Sequence, residues 1–290
     1  MTALRRLRDY YELSKPRIIV LLLVTTVAAM IMAARGIPNL ALLTWTAVGG
    51  ALAAASAGAF NCVWDADIDA MMRRTRSRPI PAGRVSRRQA TMYALFAGAL
   101  SFTVFYHFVN PLAAWLSLAG NAYYVLVYTM WLKRVTPLNI VVGGAAGSVP
   151  PLVGWAAVTN AVGAPALGLF ALIFLWTPPH FWSLALMTET DYGAAKIPML
   201  PNVCGKERTR REILYYSLLL VLASLVLYPL HVMGALYFGA AAVLGGVFLL
   251  DATRTLLDRS GTLQARRLFR FSLLYLALIC AAMVVDRIVS

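Results

Sequence analysis

Nine stretches of this chain are long and apolar enough to cross a bilayer, and nothing else in the sequence restricts the fold so strongly. A spanning helix needs about 20 predominantly apolar residues, and such runs lie at roughly 17–35, 39–60, 90–109, 111–131, 138–158, 164–187, 212–231, 234–253 and 268–287. Inside hydrocarbon every backbone polar group must be paired within the protein, so runs of this length read as helices. The expectation is an all-α, polytopic membrane protein: nine transmembrane helices in one bundle, a single domain over 1–290. Only 13% of the residues are charged, about half the share of an ordinary soluble domain.

The net charge of +14 would suit a nucleic-acid partner if it were spread over one surface. Its distribution argues against that. When successive segments are assigned to alternate sides, Arg35 and Arg287 fall on one side and every other Lys and Arg on the other. The positive-inside rule then places the N-terminus and the basic loops in the cytoplasm and the C-terminus outside, as in a bacterial inner (plasma) membrane. The first run follows a basic segment and ends near "MAARG", as a cleaved signal peptide would. It is long for such a segment and its removal would leave an even number of helices, so it reads as a retained span.

Two long polar loops interrupt the apolar pattern, at about 61–89 and 188–211. Each begins with acids, passes through prolines and ends in a basic helix start, which hints at two related four-helix halves and a ninth helix. Ser86 and Gln89 have capping-box spacing at the start of the third run. The Gly- and Pro-rich "VVGGAAGSVPPLVGWAA" of the fifth run predicts close helix packing, a kink at Pro150–Pro151 and a cavity wall. Cys62, Cys204 and Cys280 stand apart, with neither disulfide nor zinc spacing.

In the first loop Asn61, Asp65 and Asp69 recur at i, i+4 and i+8, one stripe of a helix with steps of about 6 Å, while Asp67 faces elsewhere. Stacked carboxylates repel, so a cation must answer them. The neighbouring Arg73, Arg74, Arg76 and Arg78 would do so in a solvated cluster. The alternative is Mg²⁺, which prefers one or two carboxylates plus substrate phosphates, with the arginines gripping the same phosphates. The second loop again sets acids (Glu189, Asp191) beside bases (Lys196, Lys206, Arg208). Both loops share one membrane face, so the two acidic groups would meet at one cavity mouth.

The stretch "NCVWDADIDAMMRRTRSRPIPAGRVS" resembles the first signature of the UbiA superfamily of intramembrane prenyltransferases, and most of all its haem-farnesylating branch. "LSKPRII", "KRVTPLNIVVGGAAGSVPPLVGW", "WTPPHFWSLAL" and "DYGAAKIPMLPNVCG" are similar to that branch in the same order. The superfamily commonly has a second aspartate four residues after the first in its later motif; here that position is Ala195.

The resemblance implies transfer of the farnesyl group of farnesyl diphosphate to a vinyl group of haem b, with Mg²⁺ as cofactor. It implies metal ligation by Asn61, Asp65, Asp69 and Asp191, the three aspartates being catalytic. Diphosphate contacts fall to Lys15, Arg17, Arg74, Arg78, Lys133 and Lys196. Trp64, Tyr123, Tyr124 and Tyr128 would face an allylic cation. His180, an ionisable residue within a span, would either touch haem or satisfy backbone groups freed by Pro178–Pro179. Haem-modifying oxygenases or oxidase assembly factors are the implied protein partners, beside the lipid bilayer and without nucleic acid. His107 and His231 read as interfacial residues, and Arg254, Arg259, Arg266, Arg267 and Arg270 as orienting charges facing anionic lipid. Two rivals stand beside this reading: a sibling prenyltransferase acting on a phenolic acid or chlorophyll precursor, and a transporter or non-catalytic haem-handling protein.

Overall fold

The structure, a computed structural model, describes residues 3–258 and 261–289. Arg259 lies outside the described residues. Helices and turns account for them, without a strand. In chain order the helices are α1 (Ala3–Leu13), α2 (Pro16–Ala34), α3 (Leu40–Trp64), α4 (Ala66–Met71), α5 (Arg87–Phe108) and α6 (Pro111–Ala122). A π-helical segment (Tyr123–Leu132) and α7 (Lys133–Val135) follow. The rest are α8 (Asn139–Thr159), α9 (Ala164–Met187), α10 (Glu189–Ala194), α11 (Leu200–Val226), α12 (Ala235–Leu257) and α13 (Leu263–Val289).

The helix starts follow local chemistry. Asn39 accepts the N–H groups of Ala41 and Leu42, Ser86 and Gln89 form a reciprocal capping box, and Asn110 accepts the N–H of Ala113 just ahead of Pro111. α8 continues through Pro150 and Pro151. Side chains such as Val20, Phe96 and Val243 are more than half exposed, an outer surface suited to lipid rather than water.

Among the described residues seven helices, α2, α3, α5, α8, α9, α12 and α13, are long and apolar enough to cross a membrane. The other two expected runs are built differently. Run 111–131 is not one α-helix, because after Ala122 the chain widens into the π-helical segment. Run 212–231 lies in α11, whose opening turns carry Glu207, Arg208, Arg210, Arg211 and Glu212 and which ends at Val226. Gly205, at φ +79°, breaks α11 between its loop part and its apolar part, a backbone state open to glycine at no steric cost.

α3 packs on α5, α6 on α5 and α8, and α8 on α2 and α9. α11, α12 and α13 follow one another, and α13 returns to α9 and α2 to close the bundle. Large side chains fill the C-terminal half, including Leu169, Trp182, Tyr237, Phe248 and Tyr275. Between α2, α3, α6 and α8 the bundle is hollow, because α3, α6 and α8 turn mostly small residues inward. Gly154 lets α8 approach the carbonyl of Thr26 on α2 where any Cβ would collide, and Gly143 does the same for the Tyr128 ring.

Candidate active site

The acidic stretch lies where α3 gives way to α4. Asp65 is the joint, with φ −86° and ψ 6°. The turn spacing survives the break, because Asp65 N donates to Asn61 O (2.9 Å) and Asp69 N to Asp65 O (2.8 Å). Asn61, Asp65 and Asp69 therefore form a buried ladder, each at most 3% exposed. Asn61 Nδ2 donates to Asp65 Oδ2 (2.9 Å) and to Thr129 Oγ1 (3.1 Å). Asp67 points outward and takes a two-pronged contact from Arg134, 2.8 Å to each oxygen.

Every rung meets a cation. The Lys15 ammonium donates to Asn61 Oδ1, Lys133 to Asp65 Oδ2, and Arg78 to Asp69 Oδ2 (2.7 Å). Lys15 precedes Pro16 in a left-handed conformation, φ +55°, which is uncommon for a residue with a Cβ and recurs at working sites. Burial pulls the Lys15 pKa below the usual lysine value, although the charges of Asp65 and Asp69 oppose it. Burial also works against the charge on Arg78, but Asp69 and Asp65 outweigh it and raise its pKa. The Arg134 hydrogen bond holds the Asp67 carboxyl down at about 2.

The second loop meets the first through an apolar contact: Ile68 and Met72 pack with Tyr192, Ala195, Ile197 and Met199. Tyr192 lies within electrostatic reach of Arg74, Arg78, Asp191 and Asp65, so both loops face one site. Burial raises its pKa. Asp191 is half-buried, and among the described residues its side chain makes no hydrogen bond or ion pair. Glu189 is tied to Lys206 (2.8 Å), while Lys196 is exposed at φ +53°. Arg17 is exposed and makes no hydrogen bond or ion pair with the ladder.

From the ladder a cavity of about 290 Å³ runs into the bundle. Lys15 stands in its wall, so the ion cluster and the apolar space adjoin. Tyr124 and Tyr128 line it, as do Phe105 and Phe181, which sequence reasoning missed. Tyr123 instead donates to the Val142 carbonyl and Trp64 is largely exposed; neither lines the cavity. The π-helical segment explains the selection. Its i→i+5 turn puts Tyr124, Tyr128 or Thr129, and Lys133 on one face, supplying cavity wall, Asn61 partner and Asp65 partner in succession.

His180 belongs to another face of α9. Thr177 and Phe181 look into the cavity, whereas His180 stacks between Trp176 (4.2 Å) and Phe269 (4.7 Å) against α13. The Ser272 hydroxyl donates to the Phe269 carbonyl (2.7 Å), so it must accept from His180 Nδ1–H (2.7 Å). That tautomer leaves Nε2 with a free lone pair.

The ladder suits Mg²⁺. Asp65 Oδ1 is buried without a hydrogen-bond partner, with Arg134 Nη2 4.0 Å away, a costly state for a carboxylate oxygen, and the neighbouring donors are hard oxygens. Among the described residues no three His, Cys, Asp or Glu side chains gather closely enough to hold a metal alone. Substrate oxygens and water would have to complete the coordination, as Mg²⁺ ordinarily requires.

Residues 22–274 match the model of the UbiA prenyltransferase family. The chain belongs to this family. Among curated members, the protoheme IX farnesyltransferase of Synechocystis sp. is 55% identical over 96% of this chain and 89% of its own length. That of Gloeobacter violaceus is 52% identical over 97% and 92%. Solved structures share the fold: a digeranylgeranylglyceryl phosphate synthase superposes at TM-score 0.80, with 18% identity over 99% of this chain and 100% of that one. A UbiA homologue of Archaeoglobus fulgidus bound to DMAPP and Mg²⁺ gives TM-score 0.69, with 17% identity over 95% and 99%.

Proposed function

We propose that this protein transfers the farnesyl group of farnesyl diphosphate to a vinyl group of haem b, giving the hydroxyethylfarnesyl side chain of haem O and releasing diphosphate. The observation that carries the proposal is the junction at Lys15, where a buried ladder of acids and cations opens directly into a narrow apolar cavity. A diphosphate joined to a long isoprenoid has that two-part chemistry. The acceptor is argued from the curated relatives, which are named protoheme IX farnesyltransferases and match nearly the whole chain.

Asn61, Asp65, Asp69 and Asp191 are the residues that would hold Mg²⁺, and when bound it would neutralise the charge of the departing diphosphate. Lys15, Arg74, Arg78, Lys133 and Lys196 grip the diphosphate oxygens, with Arg17 at the outer rim. As the C–O bond to the diphosphate breaks, the electron pair leaves with oxygen and an allylic cation remains. Tyr124 and Tyr128 present π faces to it, and the apolar walls exclude water until the vinyl carbon attacks. Water then adds to the resulting cation beside the porphyrin and loses a proton, which gives the hydroxyl. His180, with Nε2 free, would contact haem from the α13 side of α9 and not from the cavity wall.

The surrounding topology is nine spans in one domain, with the N-terminus and both loops cytoplasmic in a bacterial inner membrane. Its support is the one-sided placement of Lys and Arg. The α6–π segment and the apolar part of α11 are the eighth and ninth spans. A haem-modifying oxygenase or an oxidase assembly factor is the natural recipient of the product. Mass spectrometry of products formed in detergent from farnesyl diphosphate and Mg²⁺, with haem b or a phenolic acid as acceptor, tests the reading. Farnesylated haem is the expected product. A prenylated phenol with no haem product would replace the acceptor.

A further inference from the structure

The end of the bundle away from the ladder carries the two cations that the charge pattern leaves over. Arg35 is the C-cap of α2, a 19-residue helix with Lys15 at its other end, so about 28 Å of rise separates them. Arg287 sits in the last turn of α13. With Tyr228, His231, Val232 and Gly234 they line a cavity of about 370 Å³.

The arrangement leaves room and donors for an anion. Arg287 feels the like charge of Arg35, and among the described residues neither guanidinium makes a hydrogen bond or ion pair. Arg287 Nε is buried with no acceptor, which costs free energy in proportion to its polarity. The charge of Asp286 offsets part of this, but both of its oxygens accept backbone N–H groups, from Gly234 (2.6 Å) and Tyr237 (3.0 Å) at the start of α12, and neither reaches a guanidinium. Arg35 (φ +52°) and His231 (φ +54°) both take the left-handed conformation, although Gly36 is the next residue and would adopt it freely. The flanks are apolar and open: Ile37, Leu230 and Val289 are all more than 60% exposed.

We propose that this cavity binds a phosphate-bearing anion, the headgroup of an acidic phospholipid, at the end of the bundle opposite the candidate active site. The guanidinium fork matches phosphate oxygens in pairs. The exposed Ile37, Leu230 and Val289 would accept the acyl chains, which a free phosphate lacks. Nothing in this site depends on the acidic ladder.

Native mass spectrometry and thermal unfolding of the full-length protein in detergent test the assignment, with phosphatidylglycerol, phosphatidylcholine and inorganic phosphate as separate probes. The unaltered protein retains phosphatidylglycerol over phosphatidylcholine by about fivefold or more, on the order of one arginine–headgroup contact. Arg35→Gln with Arg287→Gln loses that preference, Asp65→Asn keeps it, and the Arg35→Lys, Arg287→Lys pair, which preserves charge, keeps part of it. Equal retention of the two lipids by the unaltered protein overturns the proposal without any variant having to fold. So does a preference that survives the double glutamine change. Stabilisation by inorganic phosphate equal to that by phosphatidylglycerol overturns the lipid assignment and gives the cavity to free phosphate.

Discussion

The two acidic loops, which touch through Ile68, Met72, Tyr192 and Ile197, are built to opposite standards. In the first, Asn61, Asp65 and Asp69 are buried and each is answered by a cation from a different element: Lys15 before α2, Lys133 after the π-helical segment, and Arg78 from the turns after α4. In the second, Asp191 has no side-chain partner among the described residues and Lys196 is exposed. A wired cluster is preorganised, and its charges need little rearrangement when substrate arrives. An unwired acid contributes only once a ligand reaches it. On the proposed function, the first loop is the fixed jaw of the site and the second its complement.

The largest effects should come from the fixed jaw. Asp65→Asn and Asp69→Asn are each expected to lower farnesyl transfer by at least about 10²-fold, the scale of losing one preorganised electrostatic group, as read by product formation at saturating Mg²⁺. Next, Lys133→Met strips the closer of two ion pairs from a fully buried Asp65 and leaves Arg134 at 4.0 Å, so the loss should lie at or below the low end of the about 3–5 kcal/mol that broken buried pairs cost. Thermal unfolding should show that loss, and adding Asp65→Asn to the same chain should recover part of it.

Asp191→Asn sharpens the contrast from the other side. Transfer should fall by about 10- to 100-fold, as for a supporting metal-site group, while unfolding stays within about 0.5 kcal/mol of the parent, because no contact is lost. A large stability change would place Asp191 in a wired network after all.

The smallest effect belongs to Asp67, an acid of the first loop that faces away from the ladder. Its folded pKa of about 2 lies below the ordinary 3.8. Its pairing with Arg134 thus stabilises the fold fully above pH 3.8 and ceases to do so as pH falls through 2. The pair is exposed and screened, so Asp67→Asn should cost no more than about 0.5 kcal/mol near neutral pH. That deficit should vanish in acid, and transfer should be unchanged. A large loss of transfer would mean that all four polar residues of the stretch act together.

Much of this was legible in the sequence, because bilayer length and the i, i+4 spacing are local properties. The ladder register held even where α3 ends, since the backbone hydrogen bonds at Asp65 and Asp69 bridge the joint. Partner choice was not legible. Lys133 reaches Asp65 across 68 positions of chain, and only the π-helical turn brings it there. The same turn separates Tyr124 and Tyr128 from Tyr123, a distinction invisible to a regular helical count. Phe105 and Phe181 went unnoticed because an aromatic in a membrane span ordinarily reads as core or interface.

The most direct test of the fixed-jaw account is calorimetric binding of farnesyl thiolodiphosphate, a slowly reacting substrate analogue, with and without Mg²⁺. The unaltered protein should bind more tightly with Mg²⁺, Asp65→Asn should lose that dependence, and Asp191→Asn should keep it at weaker affinity. Undiminished Mg²⁺ dependence in folded Asp65→Asn would contradict the account and reduce the ladder to a partner of its own lysines and arginine.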